Sequence, residues 1–274
     1  MGNLEEKFRE LKERREGAHM AHVYYGDPNE EFSIELIKTL VENGADLIEL
    51  GIPFSDPIAD GAIFQAACER ALNAGITPTK CIEGIKRLRN EGVDNPIVVT
   101  TYFNIPYVMG FERFISKVRE AGAQGVLIPD LPIEEAEPYL KMVRKQKLHM
   151  ILQVSPTTSQ ERLKKILAEA SGFIYLIGLE GVTGLKLRKQ EITLKLVKKV
   201  KEKTIIPVMV GFGISDGEHA KTIVSAGADG VIVGSAYARI YSKNLKNPFQ
   251  KLPEIAKLAN EIKQGCIIGY RNRH

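Results

Sequence analysis

The sequence predicts an α/β protein built as one closed barrel of eight strand and helix units. Short runs rich in β-branched residues alternate with longer amphipathic stretches along the 274 residues, and there are eight such runs. No Ser/Gly-rich linker divides the chain, so residues 1–274 are expected to form one domain. This pattern favours a (β/α)8 TIM barrel with additional helices, and a doubly wound open sheet is the alternative.

The strands are predicted at the short apolar runs His19–Tyr25, Asp46–Gly51, Pro96–Tyr102, Gly125–Pro129, His149–Val154, Phe173–Ile177, Pro207–Gly211 and Gly230–Gly234. The covering helices are predicted at Phe32–Asn43, Thr79–Glu91, Glu112–Ala121, Glu134–Gln146, Ser159–Ala170, Glu191–Lys203 and Ser215–Ala226. Three further helices are predicted at Leu4–Arg15, Gly61–Asn73 and Pro253–Gln264. Gly234-Ser235 is expected to open the helix that follows the eighth strand.

Composition excludes several classes of protein and of partner. With 44% hydrophobic and 26% charged residues, the chain is neither disordered nor fibrous. A net charge of +4 gives no basic stripe for nucleic acid, and no run of about 18 apolar residues predicts a membrane span. Three cysteines without a C-x-x-C pair argue against a disulfide framework and a structural zinc site, and a charged N-terminal stretch argues against an export signal. A cytoplasmic protein is the expectation.

Glu49 is the first candidate for chemistry. In Asp46–Gly51 the alternation of side chains sends Ile48 and Leu50 toward the helices, and Leu47 and Glu49 toward the barrel axis. None of the eight strand runs contains Lys or Arg, so a structural salt bridge has no obvious partner there. Burial without a cation raises the pKa of a carboxyl group into the range in which it exchanges protons at neutral pH.

Two aspartates follow Glu49 in the loop that overhangs the barrel mouth. Asp56 and Asp60 lie in a segment stiffened by Pro53 and Pro57. Either aspartate can alternatively cap the helix that begins near Gly61, because Asp is a preferred N-cap residue. The nearness of Asp60 to Glu49 favours a functional role.

Glycine-rich turns follow the last three strands. They are Gly181-Val182-Thr183-Gly184, Gly211-Phe212-Gly213 and Gly234-Ser235. Glycine lets backbone N–H groups approach an anion closely, and the loops after strands seven and eight form the usual phosphate site of this barrel. The alternative is that they are turn glycines without a ligand. Their combination at one edge of the barrel predicts a substrate that carries a phosphate group.

Other chemistries fit the residues less well. A Schiff-base aldolase or a decarboxylating synthase needs a lysine in the barrel, and the strand runs have none. The five histidines are scattered along the chain, so no metal site is predicted. His22 lies in the first strand with a possible inward orientation, and pocket lining is favoured over proton transfer for it.

Residues 49–61 read Glu-Leu-Gly-Ile-Pro-Phe-Ser-Asp-Pro-Ile-Ala-Asp-Gly, which closely resembles the signature of the tryptophan synthase alpha subunit family. The resemblance continues in order along nearly the whole chain. It includes Gly26-Asp27-Pro28, Asp130-Leu131-Pro132, Tyr175 and the three glycine-rich turns. Departures from the family's usual residues lie at His22, at Thr100 and Thr101, and at Gly178-Leu179-Glu180.

The resemblance implies cleavage of indole-3-glycerol phosphate to indole and glyceraldehyde 3-phosphate, without a cofactor in this chain. It gives Glu49 the main acid/base role and makes Asp60 the acceptor of the indole N–H. Tyr175 would position the substrate. The remaining implied contacts are the phosphate ligands Gly184, Gly213, Gly234 and Ser235, the pocket walls Tyr102, Leu127 and Phe212, and the closing loop with Thr183.

The resemblance also implies a partner, a tryptophan synthase beta subunit that carries pyridoxal phosphate and receives indole directly in an α2β2 complex. Residues 53–60 and their surroundings would face it. Two alternatives stay open at this point: a non-catalytic phosphate-binding subunit that regulates a partner enzyme, and a stand-alone lyase that releases free indole. Glu49, Asp60 and Tyr175 together favour the coupled lyase over the regulatory subunit.

Overall fold

The computed structural model describes residues 3–178, 186–211 and 213–273, apart from the side chains of residues 186–189. Each strand pairs in parallel with the next along the chain, and the eighth strand pairs with the first to close a barrel. The strands are β1 Ala18–Tyr24, β2 Leu47–Gly51, β3 Ile97–Thr100, β4 Gly125–Leu127, β5 His149–Val154, β6 Ile174–Ile177, β7 Val208–Gly211 and β8 Gly230–Val233. The predicted TIM barrel is confirmed, and the open-sheet alternative is wrong.

Helices surround the barrel. They are α1 Leu4–Glu13, α2 Glu30–Glu42, α3 Ala62–Asn73, α4 Pro78–Asn90, α5 Asn104–Met109, α6 Phe111–Glu120, α7 Glu137–Lys145, α8 Gln160–Glu169, α9 Lys186–Lys201, α10 Gly217–Ser225, α11 Ser235–Tyr241 and α12 Leu252–Arg271. Every predicted helix is present, with shifts at the ends. None of the helices in the described ranges is long and apolar enough to cross a membrane.

Two helices correct the sequence prediction. Helix α5 was not predicted, because six residues with an internal proline are too short to show helical periodicity. Helix α12 was predicted to end at Gln264, because the glycines at 265 and 269 disfavour a helix, but it runs to Arg271. In the structure both glycines lie against the backbone of α10, which leaves no room for a side chain. They are contact points between α10 and α12.

The strand residues divide into two packed layers. Leu47 belongs to the cluster that fills the barrel, whereas Ile48 and Leu50 belong to the cluster between strands and helices. The predicted alternation in β2 is therefore confirmed. Helix α1 covers the amino-terminal end of the barrel with Leu4 and Leu11, which join the inner cluster. The inner layer thus leaves the carboxyl end of the barrel for a pocket.

A buried carboxylate holds together the elements that carry the pocket. Asp27, in the turn after β1, is fully buried and accepts two hydrogen bonds from Arg70 of α3, at 2.7 and 2.8 Å. The hydroxyl of Tyr241, at the end of α11, donates to the same carboxylate at 2.5 Å. Because paired guanidinium and carboxylate groups fix geometry as well as charge, Asp27 sets the relative position of α3 and α11.

We predict that Asp27→Asn lowers the free energy of unfolding by about 2–3 kcal/mol, because it leaves the partly buried Arg70 charge unpaired. Urea denaturation measures the difference. Glu112→Gln is the matched control, since it removes an exposed ion pair with Lys145, and it should cause no measurable change. Equal losses in the two variants would show that the Asp27 cluster does not stabilise the fold.

Candidate active site

A cavity of about 390 Å³ opens at the carboxyl ends of the strands. Its size suits a small organic ligand. Every described residue that the sequence predicted to act on or bind the substrate lines it, namely His22, Glu49, Asp60, Tyr102, Leu127, Tyr175, Gly213, Gly234 and Ser235. Thr183, Gly184 and Phe212 lie outside the described residues. Asp56 is exposed and does not line the cavity.

Glu49 points from the middle of β2 into this cavity and is 1% exposed. Its Oε1 accepts a hydrogen bond from the hydroxyl of Thr100 at 2.5 Å, and Nδ1 of His22 lies 3.5 Å from the same oxygen. Burial raises the pKa of Glu49 to about 8; the Thr100 hydrogen bond opposes this shift and the nearby Asp60 charge adds to it. At neutral pH the carboxyl group therefore holds a proton that it can give and take back.

The described lining of the cavity offers little positive charge to stabilise a Glu49 carboxylate. Among the described residues that line it, Arg239 is the only Lys or Arg, and its side chain is exposed. In the same ranges, His22 is the only group within ion-pair distance of Glu49. Burial lowers the pKa of His22 to about 3, so the imidazole is neutral. Within the described residues, therefore, no cation offsets the desolvation of Glu49, as the absence of Lys and Arg from the strand runs predicted.

Asp60 is held by two tyrosines. The hydroxyls of Tyr24 and Tyr102 both donate to its Oδ2 at 2.6 Å. Burial raises the pKa of Asp60, and the two hydrogen bonds oppose that shift. The capping alternative is wrong, because Gly61 is the N-cap residue of α3 and the Asp60 side chain binds the tyrosines instead. The Asp60 carboxyl group is therefore placed in the pocket.

Three side chains of the pocket wall, Tyr24, Phe64 and Thr100, were not predicted as site residues from the sequence. Tyr24 follows His22 by two residues on β1, so the alternation of side chains along a strand places both on the inward face. This alternation was enough to predict Tyr24 as a pocket residue. Thr100 is predicted only as a departure from the family's usual residues, without a role in the site. The ring of Phe64, from the first turn of α3, lies 4.6 Å from that of His22 and 5.1 Å from that of Tyr24. Its place depends on how α3 docks, which the sequence pattern does not determine.

Two glycines at strand ends make room for aromatic side chains. A Cβ atom on Gly211 would collide with the ring of Tyr175, and one on Gly234 would collide with Phe64. Glycine is thus required at both positions by packing alone. Gly234 also precedes the first residue of α11, Ser235, where the leading N–H groups have no partner within the helix. Gly234 and Ser235 line the same cavity as Glu49.

Metal ligation has no support in the described ranges, where no group of three or more His, Cys, Asp or Glu side chains is arranged to hold an ion. The three cysteines are buried and unpaired. The polar chemistry of the cavity therefore centres on two carboxyl groups, Glu49 and Asp60, together with the hydroxyls and the imidazole around them.

We predict that Glu49→Gln stabilises the fold, and that the gain grows with pH. Between about pH 4.5 and 8 the folded protein keeps a proton on Glu49 that the unfolded chain has released, so the free energy of unfolding of the unmodified protein falls as pH rises. Glutamine does not titrate. The difference between the two proteins should rise from near zero below pH 4.5 to about 4 kcal/mol at pH 8. Urea denaturation at several pH values measures it, and a difference that is constant with pH would refute the raised pKa.

Comparison with known proteins gives one consistent family. Residues 8–267 match the family model described as Tryptophan synthase alpha chain. The tryptophan synthase alpha chain of Methanocaldococcus jannaschii is 46% identical over 242 residues, which cover 88% of this chain and 85% of that one. The alpha chain of Methanothermobacter thermautotrophicus is also 46% identical, over 257 residues that cover 93% and 95%.

Solved structures agree. The tryptophan synthase alpha chain of Legionella pneumophila superposes with a TM-score of 0.86 at 32% identity and covers 97% of both chains. A tryptophan synthase chain from M. tuberculosis, in the aminoacrylate-bound form, gives 0.85 at 29% identity and covers 97% of this chain and 100% of that one. The barrel, the pocket and these relatives lead to one conclusion: the chain belongs to the tryptophan synthase alpha chain family, lyases that cleave indole-3-glycerol phosphate to indole and glyceraldehyde 3-phosphate.

Proposed function

We propose that the cavity is the catalytic site for cleavage of indole-3-glycerol phosphate, with Glu49 as both acid and base. The observation that carries this assignment is a buried carboxyl group that pairs with no Lys or Arg in the described ranges and lines the same cavity as a second carboxyl group, Asp60. Family membership supplies the reaction, and the cavity supplies groups that suit it.

The reaction needs two proton transfers, one to the substrate and one from it, so that no net proton is gained or lost. Protonation of indole C3 turns the ring into an indoleninium cation. Loss of the proton from the adjacent side-chain hydroxyl then forms the aldehyde, and the electron pair of the breaking carbon–carbon bond returns to the ring. One carboxyl group can serve both transfers, since it gives a proton to C3 and receives one from the hydroxyl. A pKa near 8 suits Glu49 to both directions at neutral pH.

Asp60 suits the stabilisation of the cationic ring. In the described part of the chain the tyrosine hydrogen bonds occupy only Oδ2, which leaves Oδ1 to accept the indole N–H. The negative charge strengthens that hydrogen bond as the ring becomes positive, which lowers the energy of the transition state. Tyr24 and Tyr102 restrain the carboxylate in this orientation.

The cavity wall offers apolar surface for the indole ring and backbone donors for the phosphate. Tyr102, Leu127, Tyr175 and Ile232 provide the apolar part. Backbone groups at Gly213, Gly234 and Ser235 are the proposed phosphate ligands, together with Gly184. Thr183 and Phe212 are proposed substrate contacts by family likeness.

We propose that this chain needs no cofactor, because acid/base chemistry at carboxyl groups accounts for each step. Pyridoxal phosphate would belong to the partner, a tryptophan synthase beta subunit in an α2β2 complex. The segments that follow β2 and β3 each expose apolar side chains that such a partner could cover: Ile58 is 81% exposed, Tyr107 67% and Val108 75%. Apolar side chains this exposed favour a protein contact. Tryptophan biosynthesis in the cytoplasm fits the unpaired, buried cysteines.

We predict that the purified protein releases indole from indole-3-glycerol phosphate, and that Glu49→Gln lowers kcat by roughly 10²–10⁴-fold, because it removes the proton donor. Asp60→Asn should lower kcat by about 10²-fold through loss of the charge beside the ring. Binding of glycerol 3-phosphate, a probe for the phosphate site, should stay within about threefold in both variants. The chain contains no Trp, so indole fluorescence is read against a low protein background.

The assay is run with and without the beta subunit, and with Glu10→Gln as the control, an exposed substitution on α1 at the opposite end of the barrel. Stimulation by the partner identifies a coupled subunit, and full activity alone identifies a stand-alone lyase. Substrate binding without indole release in either condition would overturn the proposal in favour of a regulatory phosphate-binding subunit.

A further inference from the structure

The two oxygens of the Glu49 carboxyl group have different surroundings. Oε1 accepts the hydrogen bond from Thr100 and is the oxygen nearest to His22. Oε2 is buried and has no hydrogen-bond partner in the described residues. One oxygen is thus engaged with the barrel wall. The other is the oxygen free to contact a ligand in the cavity that Glu49 lines.

The tautomer of His22 follows from this arrangement. Thr100 already donates to Oε1, so Oε1 presents lone pairs to its surroundings. A bare Nδ1 facing it at 3.5 Å would set one lone pair against another, whereas an Nδ1–H is attracted. The neutral ring therefore carries its proton on Nδ1. Nε2 is then an acceptor, and in the described ranges it is buried without a partner.

The imidazole is held firmly on its strand. Its ring packs against the rings of Phe64 and Tyr24, at centroid distances of 4.6 and 5.1 Å, and those two rings are themselves 5.1 Å apart, so the three form one cluster in which His22 is 7% exposed. Strand β1 is paired so that His22 is opposite Glu49 on β2. The aromatic contacts restrain the imidazole, so we expect contraction of the 3.5 Å distance to come mainly from the Glu49 side chain.

We propose that Thr100 and His22 are positioning residues that hold Oε1 of Glu49, so that Oε2 is the oxygen that exchanges the proton with the substrate. Thr100 donates to Oε1 in both protonation states. The Nδ1–H of His22 closes on Oε1 when Glu49 has given its proton to the substrate and carries a negative charge. His22 thereby supplies an N–H donor, without a cationic side chain, at the moment when the carboxylate needs one. The proposal rests on the lyase function above.

The other titratable groups among the described lining residues do not take this role. Asp60 is negatively charged when ionised and raises the pKa of Glu49. Tyr24 and Tyr102 donate their hydroxyl protons to Asp60. Burial raises the pKa of Tyr175, so its hydroxyl stays protonated, and no hydrogen bond joins it to Glu49 in the described residues. Arg239 is an exposed cation on the cavity lining.

The test compares variants that remove a donor with variants that keep one. His22→Phe keeps an aromatic ring packed against Phe64 and Tyr24 but removes both nitrogens, and Thr100→Val keeps the side-chain shape but removes the hydroxyl. Each should raise the pKa of Glu49 by about one unit, a tenfold change in its protonation equilibrium, because a hydrogen bond to the charged form is lost. His22→Asn and Thr100→Ser retain a donor and should shift the pKa less.

Two readouts are used on the intact protein. The infrared band of the protonated Glu49 carboxyl group, identified by its loss in Glu49→Gln, is titrated without substrate. The pH profile of kcat for indole release is measured in parallel, and kcat should fall about tenfold in His22→Phe with KM changed less than threefold. Thr101→Val is the matched control, since Thr101 is equally buried next to Thr100 but its hydroxyl bonds to the backbone carbonyl of Tyr102. It should leave both readouts unchanged.

The infrared titration separates this proposal from the lyase function. If the pKa of Glu49 moves as expected and no protein releases indole, the positioning holds and the proposed reaction is wrong. If indole is released and the pKa is the same in His22→Phe and in the unmodified protein, the role of His22 is overturned. An equal shift in Thr101→Val would show general loosening of the barrel mouth and would overturn the role of both residues.

Discussion

The structure depends on a carboxyl group that the barrel removes from water and that no Lys or Arg among the described residues pairs with. Glu49 lies on the inward face of β2, above a layer of apolar side chains and below the pocket mouth. Its desolvation costs free energy at neutral pH, and that cost is what makes the group an acid that can also be a base. Stability and reactivity are therefore opposed at this one side chain.

The surrounding elements keep that arrangement in place. Asp27 ties α3 and α11 to the turn after β1 and so fixes two sides of the pocket. The tyrosines on Asp60 bring the loop after β2 down onto the ends of β1 and β3. A Lys or Arg paired with Asp60 would also hold the loop, but its positive charge would lower the pKa of Glu49. The tyrosine hydroxyls hold the loop without adding that charge.

The sequence determined the parts of the site that depend on strand period. Because side chains alternate in a strand, Glu49 was predicted to point inward, and the same rule reaches His22 and Tyr24 on β1. The contacts of Asp60 could not be predicted from strand alternation, because its partners Tyr24 and Tyr102 are 36 and 42 residues away in sequence. They meet Asp60 only when the loop after β2 packs onto the ends of the neighbouring strands. Helix α5 was not predicted because its six residues are too few to show a helical period. Glycine at position 234 is explained by anion binding and also by close packing against Phe64, and the sequence alone does not distinguish the two reasons.

The protonation state of Glu49 in the resting protein tests this picture most directly. Glutamate labelled with ¹³C at the carboxyl carbon, with the Glu49 signal identified by its loss in Glu49→Gln, reports the titration of that group in the substrate-free protein. A midpoint near pH 8 is the expected result. A midpoint near 4.5, the ordinary value for glutamate, would mean that the barrel mouth solvates or pairs the carboxylate, and would contradict the role of Glu49 as the proton donor at neutral pH.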